Sequence, residues 1–240
     1  MRLLLLGGTA EARALAAELN SEVAVVSSLA GRVPDPALPV GEVRIGGFGG
    51  VDGLVRWLRD EHIDAVVDAT HPFAARITAN AAAACRQTGL PHVVLARPAW
   101  PLGEAIVVGS DVEAADVVAR HGYARIFLTT GRSGSAAFAG VDAWFLIRAV
   151  TPPDDESLPP RHRLLLSRGP YHYADERKLL SEYGIDALVT KNSGGDMTRA
   201  KVAAAEDLGI PVVMVDRPAL PDDVRAVATV AAGAAWVRAL

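Results

Sequence analysis

Two stretches of this chain repeat one another in order. Ile63-Asp64-Ala65-Val66-Val67 returns as Ile185-Asp186-Ala187-Leu188-Val189, and Gly89-Leu90-Pro91 leading to Arg97-Pro98-Ala99 returns as Gly209-Ile210-Pro211 leading to Arg217-Pro218-Ala219. Carried backward, the repeat sets residues 3–9 opposite 126–133, so each half opens on an apolar run and a glycine-containing loop. Any two strand-helix units share some pattern, but matched position and order point to a duplicated chain of two similar halves.

Within each half, short apolar runs alternate with helical periodicity. Strands are expected at 3–6, 23–26, 65–67, 126–128, 144–147, 164–166, 188–189 and 212–215, with a weak one at 43–45. Helices are expected at 9–19, 54–59, 111–120, 175–183 and 196–208, the last capped by Asp196 or Thr198. Continuous rather than alternating apolar runs indicate strands covered on both faces, as in parallel sheets with crossover helices. The expected fold is therefore α/β: two Rossmann-like, doubly wound parallel-sheet halves with a cleft between them. The Pro-rich stretch 98–103 marks the boundary, giving domains 1–100 and 101–240. Residues 151–160, with Asp154, Asp155 and Glu156, read as a surface excursion.

Composition narrows the function. A net charge of −4 provides no global basic field for nucleic acid or an anionic membrane. The single cysteine, Cys85, allows no internal disulfide, and no cluster of metal-ligand spacing is present, so no metal is expected. The apolar run 3–6 is too short for a signal-peptide core, and no apolar stretch reaches membrane-spanning length without charges. A cytoplasmic protein is expected.

Ligands of open parallel sheets bind beyond the carboxyl ends of the strands. No loop there matches GxGxxG at the first strand, nor the Walker A pattern. Gly46-Gly47-Phe48-Gly49-Gly50 reads as a turn before a helix and is assigned no cofactor. Glu11 sets a carboxylate beside the first-strand loop, whereas Arg132 brings a cation to its counterpart, Thr130-Gly131-Arg132-Ser133. The second half is thus the expected phosphate site. Arg148, at the end of the following strand, suits the extra phosphate of NADP, and Lys191-Asn192-Ser193-Gly194 adds a cation, donors and close backbone approach. Taken singly, these glycine loops also read as ordinary turns.

Asp68-Ala69-Thr70-His71-Pro72-Phe73 packs a carboxylate, hydroxyl, imidazole and aromatic after a buried strand. Asp68 or Thr70 also suits capping the helix that Pro72 opens, while His71 is placed to donate to an anion or relay a proton. In Ser167-Arg168-Gly169-Pro170-Tyr171, Arg168 offers a planar fork and Tyr171 an aromatic face, which suit a flat acidic ligand. The plain structural reading of Arg168 is a surface ion pair with Asp175 or Glu176.

GGTAEAR, DATHPFA, SRGPY and TKNSGG, in this order over nearly the whole chain, resemble the precorrin-6A reductase family of cobalamin biosynthesis. Tyr171 stands where phenylalanine is expected. The resemblance implies an oxidoreductase that transfers hydride from NADPH to a ring double bond of precorrin-6A, giving precorrin-6B, with hand-over to other corrin-pathway enzymes. It also implies two Rossmann-like domains, the nucleotide held mainly by the C-terminal one, and a strand exchanged between them. Gly8, Thr9, Thr70, His71, Pro72, Phe73, Arg76, Arg168, Gly169 and Tyr171 are then substrate candidates. Cations such as Arg76, Arg148, Arg168, Lys191 and Lys201 suit an acidic macrocycle, and His71, Arg148 or Lys201 could stabilise charge as hydride arrives. Two other readings stand beside this one: a cobalt-precorrin-6A reductase, and a noncatalytic two-lobed ligand-binding module.

Overall fold

The computed structural model describes residues 1–31, 37–132, 134–153 and 158–240. Ser133, Asp154, Asp155 and Glu156 lie outside the described residues. The chain forms two compact units, one of Met1–Pro98 with Pro218–Leu240, the other Ala99–Arg217. The expected continuous second domain, 101–240, differs at its end, because the last segment returns to the first unit.

The first unit contains β1 (Arg2–Leu6), β2 (Ala24–Leu29), β3 (Glu42–Ile45), β4 (Ala65–Asp68) and β5 (His92–Leu95), with α1 (Ala10–Leu19), α2 (Gly50–Asp60) and α3 (Ala75–Thr88). The second contains β6 (Ile106–Val108), α4 (Asp111–His121), β7 (Arg125–Leu128), β8 (Trp144–Ala149), β9 (His162–Leu166), α5 (Tyr173–Glu182), β10 (Ala187–Lys191), α6 (Ala200–Asp207) and β11 (Val212–Val215). The chain ends with β12 (Arg225–Val227) and α7 (Val230–Arg238). The sheet orders are β12-β5-β4-β1-β2-β3 and β6-β11-β10-β7-β8-β9. Every pairing is parallel. Both are doubly wound Rossmann orders, and the first sheet takes an edge strand from the far end of the chain. β12 pairs with β5, and β6 pairs with β11.

The internal repeat has a backbone explanation. Asp64 Oδ2 accepts from the Arg2 N–H at the start of β1, and Asp186 Oδ1 accepts from the Arg125 N–H at the start of β7. The carbonyls of Pro91 and Pro211 accept from Val66 and Leu188 at the same 2.9 Å. Gly89 and Gly209, at φ 71° and 67°, end the preceding helices in the left-handed conformation that glycine adopts without steric cost. The repeated residues therefore perform the same register-fixing tasks in both sheets.

The run Leu3-Leu4-Leu5-Leu6 shows why these strands lack polar alternation. Leu3 and Leu5 pack with Leu15, Leu19, Val67, Trp236 and Val237 on one face, and Leu4 and Leu6 with Leu54, Leu58, Val66 and Cys85 on the other. In the second unit Phe127, Leu146, Leu188 and Met214 form the corresponding core with Trp100, Leu180 and Val202. No helix among the described residues is long and apolar enough to cross a membrane.

Candidate functional site

Because all strands of each sheet run parallel, their carboxyl-end loops emerge along one edge, and the strand order reverses between β1 and β4 and between β7 and β10. Such switch points open a crevice where ligands dock. In the first unit the flanking loops are tied by Thr9, whose Oγ1 donates to the Ala69 carbonyl at 2.7 Å and accepts from Ala12 N as the N-cap of α1. Thr9 thus holds the crevice from beneath, which differs from the expected substrate contact, since its hydroxyl is already engaged. Gly8, exposed and at φ 110°, allows the turn.

The Asp68–Phe73 loop is built around the carboxylate. Asp68 is buried, and its Oδ1 accepts from both Thr70 N (2.9 Å) and Thr70 Oγ1 (2.6 Å). These bonds shape the loop and cap no helix. α3 begins at Ala75, beyond the turn containing Pro72, so Asp68, Thr70 and Pro72 do not open it as expected. His71 is exposed at the loop tip, and its Nδ1 accepts from Phe73 N at 3.2 Å. Phe73 lies beside it, with ring centroids 5.8 Å apart, and Arg76 is exposed in the first turn of α3. Glu11 pairs with Arg97 at 2.8 Å. The carboxylate expected to repel phosphate at the first loop is therefore compensated, and the charge contrast between the two loops is smaller than sequence suggests.

In the second unit the loop after β7 packs against the N-terminus of α4. Lys191 Nζ donates to the Thr130 carbonyl at 2.9 Å and pairs with Asp111 at 3.2 Å. The buried Thr130 Oγ1 and Asp111 Oδ1 have no hydrogen-bond partner among the described residues. Both face Gly134, where a methyl group would lie 2.4 Å from Thr130 Oγ1 and 2.9 Å from Asp111 Oδ1. Gly131 adopts φ 80°, and Arg132 is exposed. An orphaned hydroxyl beside an obligate glycine, at a switch point, is the kind of cradle in which polar ligand atoms complete hydrogen bonding. Asp111 was not singled out from sequence. Asp111 reads there as an ordinary first-turn acid, since its partner lies on another strand.

The loop after β10 turns its carbonyl edge toward the protein. Trp100 Nε1 donates to the Gly195 carbonyl (2.7 Å), Tyr171 N to Met197 (3.0 Å) and Lys201 Nζ to Thr198 (2.8 Å). Gly194 and Gly195, at φ 65° and 71°, make the turn. Asp196–Thr198 form a 3-10 turn and α6 starts at Ala200, so neither Asp196 nor Thr198 caps it by side chain. Asn192 is buried and spends its amide on Trp100, accepting from its N (2.9 Å) and donating to its O (3.2 Å). That differs from the expected cofactor contact and explains Trp100, which reads from sequence only as a pattern break. Ser193 N donates to the Lys191 carbonyl at 2.7 Å.

Arg148 is also placed differently from expectation. Its fork donates to both Glu176 oxygens at 2.9 and 2.8 Å, the pair is 7% and 2% exposed, and the Tyr171 and Phe127 rings lie 4.0 and 4.7 Å from the guanidinium carbon. A guanidinium on an otherwise apolar strand requires a buried counter-ion, so Glu176 serves Arg148 and not Arg168. Both terminal nitrogens being engaged, Arg148 is unsuited to a 2′-phosphate or to catalysis. Lys201, 5% exposed, is likewise withdrawn from the expected catalytic role. Burial pulls its ammonium down to about 7, opposed by Glu176 and reinforced by Arg148. Arg168 is exposed, and Gly169 packs so closely on Met197 that a methyl group would lie 3.0 Å from its carbonyl oxygen. The SRGPY loop thus packs on the turn that follows TKNSGG.

Comparison with known proteins adds an independent line. The family model described as precorrin-6x reductase CbiJ/CobK matches residues 2–238. A precorrin-6A reductase of Mycobacterium tuberculosis is 68% identical over 239 residues, covering 100% of this chain and 98% of the relative. One of Rhodococcus erythropolis is 56% identical over 245 residues, covering 100% and 98%. A cobalt-precorrin-6A reductase of Priestia megaterium is 30% identical over 234 residues, covering 90% of each chain. A solved structure titled CobK precorrin-6A reductase superposes with a TM-score of 0.90 at 38% identity, covering 100% of this chain and 96% of that one.

Proposed function

Since the chain belongs to the precorrin-6x reductase family, we propose that it is a cytoplasmic precorrin-6A reductase which uses NADPH and yields precorrin-6B. The observation that carries this reading is the full-length 68% identity with a precorrin-6A reductase. Metal-free substrate is favoured over the cobalt form because identity falls from 68% and 56% to 30% between relatives bearing the two names.

The nucleotide is assigned to the second unit's switch point. Thr130 Oγ1 supplies a hydroxyl that lacks a partner among the described residues, Gly131 and Gly134 permit close backbone approach, and exposed Arg132 is the cation for phosphate. Gly194 and Ser193 line the neighbouring loop, while Lys191 holds the two loops together. When bound, NADPH supplies the hydride, and the protein's part is to hold donor and acceptor in register and exclude water. The macrocycle's carboxylates are assigned to Arg76 and Arg168, with Gly8, Thr70, Pro72, Gly169 and Tyr171 shaping the loops beside them. His71 and Phe73 provide an imidazole and an apolar ring against the conjugated system.

Purified precorrin-6A mixed with the protein and NADPH should show the spectral change of ring reduction. Absence of turnover with both the metal-free and the cobalt substrate would leave the ligand-binding module as the better reading. NADPH should also protect the fold from heat more than NADH does; equal protection removes the cofactor assignment.

A further inference from the structure

Two neighbouring carbonyls of the loop after β10, those of Met197 and Thr198, are gripped from opposite motifs. Tyr171 N holds the first at 3.0 Å and Lys201 Nζ the second at 2.8 Å. Both arms rest on the same buried support. The Tyr171 ring sits 4.0 Å over the Arg148 guanidinium, whose fork is fixed by Glu176, and Lys201 lies within the field of that pair. Tyr171 is kept in place by its hydroxyl, which donates to the Ser167 carbonyl at 2.9 Å, and Lys201 by the Trp100 ring 4.9 Å from its nitrogen. Nothing in this arrangement is needed simply to close the core, since an apolar pair of similar volume fills such a space at no loss of stability.

We propose that Lys201, Tyr171 and the Arg148–Glu176 pair are positioning residues that preset the loop after β10 for nucleotide binding, clamping two adjacent carbonyls so that the loop needs no ordering when the ligand arrives. Preorganisation of this kind appears in affinity, because the ordering cost is met in the free protein. The clamp rests on the assignment of NADPH to this unit for its functional consequence, but its mechanical part is independent of any ligand.

The test is hydrogen exchange followed by mass spectrometry on the ligand-free full chain, with Lys201→Met as the variant. Amides of residues 192–199 should exchange about tenfold faster or more, as expected for the loss of one strong hydrogen bond, while β10 and β11 keep their protection. Unchanged exchange over 192–199 in a folded variant overturns the clamp. In the steady state the same variant should raise the KM for NADPH about tenfold with kcat within a factor of about two. A fall in kcat with an unmoved KM also overturns it. If Lys201→Met fails to fold, Tyr171→Leu tests the other arm by the exchange readout. Should the wild-type protein bind no NADPH, the cofactor assignment fails while the exchange result still decides the clamp.

Discussion

Arg148 and Lys201 show how far a residue type can be read without its surroundings. A cation at the end of the strand after β7 fits the position where a 2′-phosphate is met, and sequence alone cannot reveal that Glu176, on a helix two elements later, already occupies its fork. The residue was legible as functional in type, but its partner was set by tertiary packing. Glu176→Gln should therefore cost about 3–5 kcal/mol, the penalty for leaving one charge of a buried pair uncompensated, read by chemical denaturation. Arg148→Met should leave the ratio of NADPH to NADH protection unchanged; a narrowed ratio would return Arg148 to the 2′-phosphate. Lys201 adds a pH dependence whose sign follows from its depressed ionisation. Between about 7 and its ordinary 10.5 the unfolded chain binds a proton that the folded chain does not. Stability should thus rise with pH across that window and level off below it. Lys201→Met should flatten this slope, and a slope that persists in the variant would assign it to another group.

At the scale of the element, strands were legible where burial on both faces leaves a continuous apolar run, as in Leu3-Leu4-Leu5-Leu6, whereas β5, β6, β12 and α7 were not read from the sequence. The loops were legible in location, since carboxyl ends of parallel strands are fixed once the strands are. Their internal chemistry was not, because Thr9, Asn192 and Asp68 use their polar atoms on backbone groups distant in sequence or within their own turn. Two glycines make the distinction measurable. Gly134 has ordinary dihedral angles, φ −89° and ψ −20°, so only the crowding of Thr130 and Asp111 forbids a side chain there. Gly8 has open space around it and is required by φ 110° alone. Gly134→Ala should cost about 1–3 kcal/mol through overpacking and weaken NADPH binding by displacing Thr130. Adding Thr130→Ala should recover part of the stability, because it removes the Oγ1 that the new methyl group would meet at 2.4 Å. Gly8→Ala should cost a similar amount through backbone strain, with no rescue from Thr130→Ala. Equal rescue of both by thermal melting would show that the two glycines are not separated by mechanism.

For the whole molecule, the repeat revealed two halves, yet the plain reading of a duplicated chain, one half after the other, misplaces its end. β6 and α4 follow the first repeat but complete the second sheet, and β12 and α7 follow the second repeat but complete the first. A strand edge accepts any partner of matching register, so the sequences of β6 and β12 do not say which sheet each joins. Only the family resemblance carried that expectation. The consequence is that the last residues of the chain govern the stability of its first. Ala234, Trp236 and Val237 of α7 belong to the core cluster of Leu3, Leu15, Leu19 and Val93, and Arg238 pairs with Glu18 and Glu22 beside α1. The exposed ion pairs add little. Trp236 is the dominant contribution, and Trp236→Ala should destabilise by about 3–5 kcal/mol. Hydrogen exchange should locate that loss in α1, β1 and β5, at the opposite end of the sequence, while β7, β8 and β10 of the second unit retain protection. Loss centred on β10 and β11, the neighbours of α7 in the linear order, would mean that the terminal segment packs where a simple tandem arrangement puts it.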